Sequence, residues 1–311
     1  MVGGETMSTE PEKKKKMMKA SIPVEEYMYP GTVDCQGCGA AYAMRLALKA
    51  LGPETMVVIP ACCWSIIAGP FPTSALKVPI YHTAFETAAV VSSGIKAGLD
   101  IMGKEATVVA WAGDGGTFDI GVQALSAAAE RNENIVYICY DNEAYMNTGI
   151  QRSSATPWGA WTTTTPRKHP KDRPKKNMME IMAAHRIPYC ASASIGYPED
   201  FIRKLKKAKE MVGTRFFHVL ATCPTGWRSP PEWQLRIPRL AVESCVFPLY
   251  EIEDGVYKIN KKPRRKLPVA DYLKTQGRFR HLTEKQIQYI QELVDANWEL
   301  LLKKEKFGKI F

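Results

Sequence analysis

The chain has 311 residues, 45% of them hydrophobic and 24% charged, an ordinary globular composition with room for one large core or two modest ones. No apolar run is long enough to span a bilayer, and the opening MVGGETMSTEPEKKKKMMKA lacks the apolar stretch of a secretory signal, so a cytoplasmic protein is expected. The net charge of +10 invites a nucleic-acid partner, but the basic runs, among them Lys13–Lys16, Arg167–Lys176 and Lys261–Lys266, fall in no nucleic-acid motif and read as solvated faces or attraction to an acidic protein.

Residues 1–20 read as a basic tail. From Ala41 the pattern alternates helix and strand. AYAMRLALKALG is an amphipathic helix stopped by Gly52, and TMVVIPA is a short buried strand. FETAAVVSSGIKAGLDIMG is a small-residue helix ending at Gly103. ATVVAWAGDGG is a strand running into a glycine turn, FDIGVQALSAAAERN is helical, and NIVYICYDN is the next strand. A polar loop over about 144–177 leads to the helix MMEIMAAHR, the strand YCASAS, the helix PEDFIRKLKKAKEMV and a final strand, RFFHVLATC. Continuous apolar strands separated by crossover helices predict an α/β fold with a parallel sheet covered on both faces. The main domain is placed at 21–225. Beyond it Pro and Arg become frequent, so 226–311 reads as a C-terminal extension packing on partner subunits, an arm closed by one helix from Thr283 to about Lys306.

Ligands of open parallel sheets bind at the C-terminal ends of strands. There, Gly113-Asp114-Gly115-Gly116 joins a strand to a helix. The glycines let backbone approach a phosphate, and the helix start favours an anion. Asp114 suits such a turn only if a divalent cation stands between it and the diphosphate, since Mg²⁺ shares phosphate and protein oxygens. The next strand end supplies Asp141-Asn142-Glu143-Ala144, with Asn142 standing 28 positions after Asp114. This pair resembles the thiamine diphosphate fingerprint. The resemblance implies Mg²⁺ ligation by the side chains of Asp114 and Asn142 and by the carbonyl of Ala144.

Eight cysteines in a cytoplasmic chain argue against a disulfide framework. Cys139, Cys190 and Cys245 read as small buried hydrophobes. Cys35-Gln-Gly37-Cys38-Gly39 is a Cys-x-x-Cys turn whose glycines free backbone N–H groups near sulfur. Cys62-Cys63 and Cys223 follow strands, so a four-cysteine site can form on the same edge, for zinc or for iron–sulfur.

Together CQGCG, ACCWS, HTAFETAA, AWAGDGGTFDIGVQALSAAAERN, YDNEAYMNTGIQRSSATPWGAWTTTTP and ATCPTGW resemble the beta subunits of the pyruvate:ferredoxin (2-oxoacid:ferredoxin) oxidoreductases. The resemblance covers about residues 20–280. It implies a thiamine-diphosphate fold and one [4Fe–4S] cluster on Cys35, Cys38, Cys63 and Cys223. Cys63 is chosen over Cys62 because relatives carry the ligand directly before the segment matching Trp64-Ser65-Ile66. It also implies conversion of pyruvate, CoA and oxidised ferredoxin to acetyl-CoA, CO₂ and reduced ferredoxin. Alpha, gamma and delta subunits or fused equivalents are the implied partners, the alpha subunit bringing the glutamate that activates the cofactor. Asn147 resembles the family residue facing the reacting centre, and Arg152 is a fixed cation for anion recognition. Gly37, Gly39, Gly113, Gly115 and Gly116 complete the cofactor-binding set. His82 reads as a structural histidine. Ala40 stands where single-chain relatives have a glutamate. Rival readings are another 2-oxoacid such as oxalate or 2-oxoisovalerate, or a non-redox thiamine carboligase or decarboxylase with structural zinc.

Overall fold

The computed structural model describes residues 22–311, and the basic tail expected at 1–20 lies outside them. Eight strands form one sheet: β1 Thr55–Pro60, β2 Ile80–Thr83, β3 Thr107–Gly113, β4 Val136–Asp141, β5 Tyr189–Ser194, β6 Arg215–Leu220, β7 Tyr250–Glu253 and β8 Val256–Ile259. Their order is β2-β1-β3-β4-β6-β5-β7-β8. The first six are parallel, while β7 runs antiparallel to β5 and β8 to β7.

The central strands β4, β5 and β6 are buried throughout, because each face carries a helical layer. Alternate residues of a strand point to opposite faces. Val57, Ile59, Val109, Trp111 and Ile138 therefore pack against α1 (Gly39–Leu51), α2 (Trp64–Ile67) and α6 (Pro198–Lys209). Val58, Val108, Ala110, Tyr137 and Cys139 meet α3 (Ala88–Ile101), α4 (Val122–Glu130), α5 (Met178–Ala184) and α10 (Glu284–Phe307). Helix ends follow local chemistry. Gly52, at φ 84°, closes α1 with its N–H on the Leu48 carbonyl. Pro198, Glu199 and Asp200 open α6 and lysines close it. Thr283 and Gln286 cap α10 reciprocally.

Three features depart from the sequence reading. The edge strand β2 was not expected, because IYHT is short and only half apolar. The helix expected over 118–132 begins as a π-helical turn, Gly116–Ile120, in which the Gly121 N–H bonds the Gly116 carbonyl at 2.9 Å. A Cβ on Gly121 would lie 2.1 Å from that oxygen, so only glycine closes the turn. The third departure corrects the C-terminal arm: much of 226–311 folds on the chain's own sheet. β7 and β8 extend it, while α7 (Pro224–Trp227), α8 (Arg236–Glu243), α9 (Val269–Leu273) and α10 enclose a further core around Trp227, Ile237, Val242, Leu249, Tyr272 and Val294. No break in the fold falls at 225. Among the described residues, no helix is long and apolar enough to cross a membrane.

Behind the site Trp111 stacks on Tyr140 with ring centroids 5.8 Å apart and takes the Trp64 edge at 6.2 Å. Its indole N–H is buried without a hydrogen-bond partner. Trp111→Phe therefore removes no polar contact and should shift unfolding by less than about 1.5 kcal/mol. Trp111→Ala leaves a void and should cost about 3–5 kcal/mol, both read from denaturant unfolding.

Candidate cofactor cleft and cysteine site

The chain leaves β1 for β2 on one side and returns to β3 on the other, which makes a crevice at the C-terminal ends of β1 and β3. A cleft of about 200 Å³ opens there, lined by Cys62, Cys63, Asp114, Asn142, Met146 and Asn147 among others. Its floor is the glycine turn. A Cβ on Gly115 would meet the Tyr145 ring at 2.2 Å, and one on Gly116 would crowd Phe85 at 3.3 Å. Tyr145 is held by its hydroxyl donating to Asp119 Oδ2 at 2.7 Å, and the Ser154 N–H reaches the same oxygen at 3.1 Å.

Asp114 is fully buried and accepts from Ser153 Oγ at 2.5 Å. Burial, with the Asp141 charge adding to it, raises its pKa well above the usual carboxylate range, so an ionised Asp114 calls for a cation. Around it stand the Asn142 amide and the Ala144 carbonyl. With its nitrogen turned inward, Asn142 donates to Asp114 Oδ1 and the Ala144 carbonyl, each at 3.0 Å. With its oxygen turned inward, three acceptors converge with no proton between them. That second arrangement is the donor set of a hard divalent cation. The residues present therefore fit Mg²⁺.

A buried charge set supports this loop from behind. The Asp141 carboxylate accepts from His218 Nε2 at 2.6 Å and from Lys175. Burial alone would raise Asp141, but the Lys175 ammonium and the His218 hydrogen bond outweigh it and hold it at about 2. Burial lowers the His218 pKa, and its bond to Asp141 places the ring proton on Nε2. Glu143 takes a left-handed φ of 69° and turns its carboxylate to Lys175 at 2.8 Å and to Arg278. Trp227 Nε1 donates to the Asn142 carbonyl at 2.7 Å.

The cysteine turn lies beside the cleft. The Cys38 N–H bonds the Cys35 carbonyl at 3.0 Å, and the Gly39 N–H bonds the Thr222 carbonyl at 2.9 Å, next to Cys223. A Cβ on Gly39 would strike the Thr222 backbone at 2.5 Å, and one on Gly37 (φ 74°) the Pro231 carbonyl at 2.6 Å. Burial raises the thiols of Cys63 and Cys223, and it pushes Cys38 up to about 11. Cys38 and Cys63 feel Cys223, which in turn feels Cys35. The Gly226 N–H points at Cys223 Sγ at 3.4 Å. Cys62 is hydrogen-bonded to Tyr140 and Ser65 and lines the cleft beside Cys63. Among the described residues, no three His, Cys, Asp or Glu side chains are gathered around one metal-ion position.

Asn147 thus stands at the cleft mouth, whereas Arg152 is exposed outside its lining. His82, expected as a structural histidine, is exposed on β2. Sequence reasoning missed Lys175, His218, Trp227 and Arg278, and it placed Ser153 in a polar loop over the site without its bond to Asp114. Glu143, inside the recognised Asp-Asn-Glu-Ala run, was the available signal, since a carboxylate beside a metal loop needs cations behind it.

Residues 63–219 match the family described as thiamine pyrophosphate enzyme, C-terminal TPP binding domain. The chain is 54% identical over 305 residues to ketoisovalerate oxidoreductase subunit VorB of Pyrococcus furiosus, covering 93% of this chain and 97% of that one. It is 53% identical over 279 residues to pyruvate synthase subunit PorB of Methanothermobacter thermautotrophicus, covering 88% and 97%. To the pyruvate synthase subunit PorB of P. furiosus the identity is 47%, covering 91% and 96%. The 2-oxoglutarate:ferredoxin oxidoreductase of Magnetococcus marinus shares the fold, with a TM-score of 0.56 and 23% identity over 68% of this chain and 79% of that one.

Lys175 neutralises both Asp141 and Glu143. Lys175→Met should cost on the order of 3–5 kcal/mol in urea unfolding, because it leaves buried carboxylates short of a cation. Lys175→Arg should recover part of that loss.

Proposed function

We propose that this chain, which belongs to the 2-oxoacid:ferredoxin oxidoreductases as a beta-type subunit, binds Mg²⁺–thiamine diphosphate in the cleft beside a [4Fe–4S] cluster. In that role it serves the CoA-dependent oxidative decarboxylation of pyruvate. The observation that carries the reading is the shared wall of the two sites. Cys63 lines the cleft and its thiol also lies under the electrostatic influence of Cys223, Cys62 and Cys38, so a cofactor in the cleft and a cluster on the thiols would stand side by side.

When bound, thiamine diphosphate supplies the carbon nucleophile and electron sink that decarboxylation of a 2-oxoacid requires. The chain's own residues hold and shield it. Asp114, Asn142 and Ala144 hold the metal, while Gly113, Gly115 and Gly116 bring backbone against the diphosphate. Tyr145 and Phe85 wall the cleft. Asn147, at its mouth, donates to the substrate carbonyl or carboxylate, and Arg152 at the rim attracts substrate or CoA anions. Cys35, Cys38, Cys63 and Cys223 hold the cluster. Gly37 and Gly39 let the turn approach the 222 and 231 backbone, and the Gly226 N–H stabilises thiolate charge on Cys223.

Partner subunits complete the site. β2 is an open edge and carries the exposed Tyr81, an unpaired strand edge suited to the subunit that brings the activating glutamate. Ferredoxin, directly or through a delta-type subunit, takes the electrons. A second reading replaces pyruvate by 2-oxoisovalerate. It is favoured by the higher identity to the VorB than to the PorB chain of P. furiosus.

The test is anaerobic purification with the native partners, followed by iron, sulfide, zinc and thiamine diphosphate analysis. EPR is then recorded during addition of pyruvate and then CoA. Iron, sulfide and cofactor are expected, with a pyruvate-dependent radical signal that decays on adding CoA. Zinc without iron would sink the redox reading, and a response to 2-oxoisovalerate alone would move the substrate. Cys63→Ser should lose the iron signature while Cys62→Ser keeps it. Asp114→Ala should weaken metal-dependent cofactor binding by about tenfold or more.

A further inference from the structure

Arg278 lies 135 residues from Glu143 in sequence, in the C-terminal part of the chain, yet it reaches the loop between the metal-ligand candidates Asn142 and Ala144. It is buried. Its Nη2 donates to Glu143 Oε2, and its Nε donates to Gln276 Oε1 at 2.9 Å. The guanidinium lies over the Trp227 ring at 4.1 Å and near the Phe279 ring at 4.8 Å. Trp227 in turn donates its indole N–H to the Asn142 carbonyl at 2.7 Å, and its own backbone N–H bonds the Cys223 carbonyl at 2.8 Å. The contacts close a ring: Arg278 to Glu143 along the cofactor loop, Asn142 to Trp227, and Trp227 back to Arg278.

Two features make this more than packing. Glu143 holds a left-handed φ that a glutamate rarely adopts, so its side-chain anchor decides whether the loop keeps its shape. Trp227 sits in the same short helical turn that begins at Cys223, so the ring ties the loop at β4 to the turn of a cysteine ligand.

We propose that Arg278 is a positioning residue. Through Glu143 and Trp227 it fixes Asn142 and Ala144 in metal-binding geometry and sets that loop in register with the Cys223 turn. The inference rests on the reading of Asn142 and Ala144 as Mg²⁺ ligands. Arginine suits the role because one planar group both pairs with a carboxylate and stacks on an indole, which a lysine ammonium does not match.

The test uses the complete multi-subunit enzyme with Arg278→Met, Arg278→Lys and the double variant Arg278→Met/Glu143→Gln. Half-saturating Mg²⁺ for activity is measured alongside the thermal midpoint. Arg278→Met should raise half-saturating Mg²⁺ about tenfold or more, the size of effect that partners behind a metal ligand carry. Arg278→Lys should fall between it and the wild type. The double variant removes the buried carboxylate that Arg278→Met leaves with Lys175 as its one cation, so its thermal midpoint should recover in part while its metal requirement stays high. Wild-type metal saturation in Arg278→Met overturns the proposal, and so does joint recovery of stability and metal saturation in the double variant. If Arg278→Met fails to assemble, unchanged metal saturation in Arg278→Lys overturns it. A wild-type enzyme indifferent to divalent metal would instead overturn the metal-site reading on which the inference stands.

Discussion

The five charged or titratable groups behind the β4 loop are the constraint on which the site depends. Two carboxylates, Asp141 and Glu143, are buried within three residues of each other and face Lys175, Arg278 and His218. Buried charges are tolerated only when paired and hydrogen-bonded. Here the pairing draws in three segments far apart in sequence: the polar loop around Lys175, the strand carrying His218 and the C-terminal turn of Arg278. The cost of burying those charges is offset by the fixed conformation they impose on Asn142 and Ala144, the residues that face the cleft. Asp114, on the cleft side, accepts from Ser153 but faces no cationic side chain as close as those behind the loop, and its raised pKa marks the place where positive charge is wanted.

Around this set the fold does ordinary work. Parallel strands bring their C-terminal ends to one edge, and the reversal of strand order between β1 and β3 opens the crevice there. Glycines then let backbone replace side chain: Gly115 under Tyr145, Gly121 in the π-helical turn and Gly39 against Thr222. The last of these presses the Cys35–Cys38 turn onto the backbone next to Cys223. The glycine turn of β3 and the cysteines after β1 line one cleft because they occupy neighbouring strand ends.

What the sequence made legible was local. The strand–glycine–helix junction at 113–116 and the Asp-Asn-Glu-Ala run at 141–144 stand beside each other at the sheet edge because β3 and β4 are neighbours. The apolar runs at β1, β3, β4, β5 and β6 fold as strands, since both faces of each are buried. Edge strand β2 escaped notice because a half-exposed strand of four residues has neither the run nor the alternation that marks one. The β7–β8 hairpin was hidden in a stretch that read as an arm: YEIEDGVYKI is short and charged, and only pairing with β5 defines it. Lys175 belongs to the basic stretch 167–176, whose composition says solvent, and Arg278 stands in a segment with no motif of its own. The half-burial of Lys175 and the burial of Arg278 follow from long-range contact with carboxylates that no local pattern reveals. Cys63 rather than Cys62 was chosen by resemblance alone. Both side chains line the cleft, with Cys62 hydrogen-bonded to Tyr140 and Cys63 under the electrostatic influence of Cys223, a difference with no counterpart in the letters.

The placement of Arg278 also orders events in time. A chain emerging from the ribosome can bring β1 to β6 together while its last hundred residues are still being made. The glycine turn and the β4 loop would then already exist, but Glu143 would lack its guanidinium partner and the sheet its β7–β8 edge. The β4 loop would gain its full set of charge partners only once residue 278 had joined the fold.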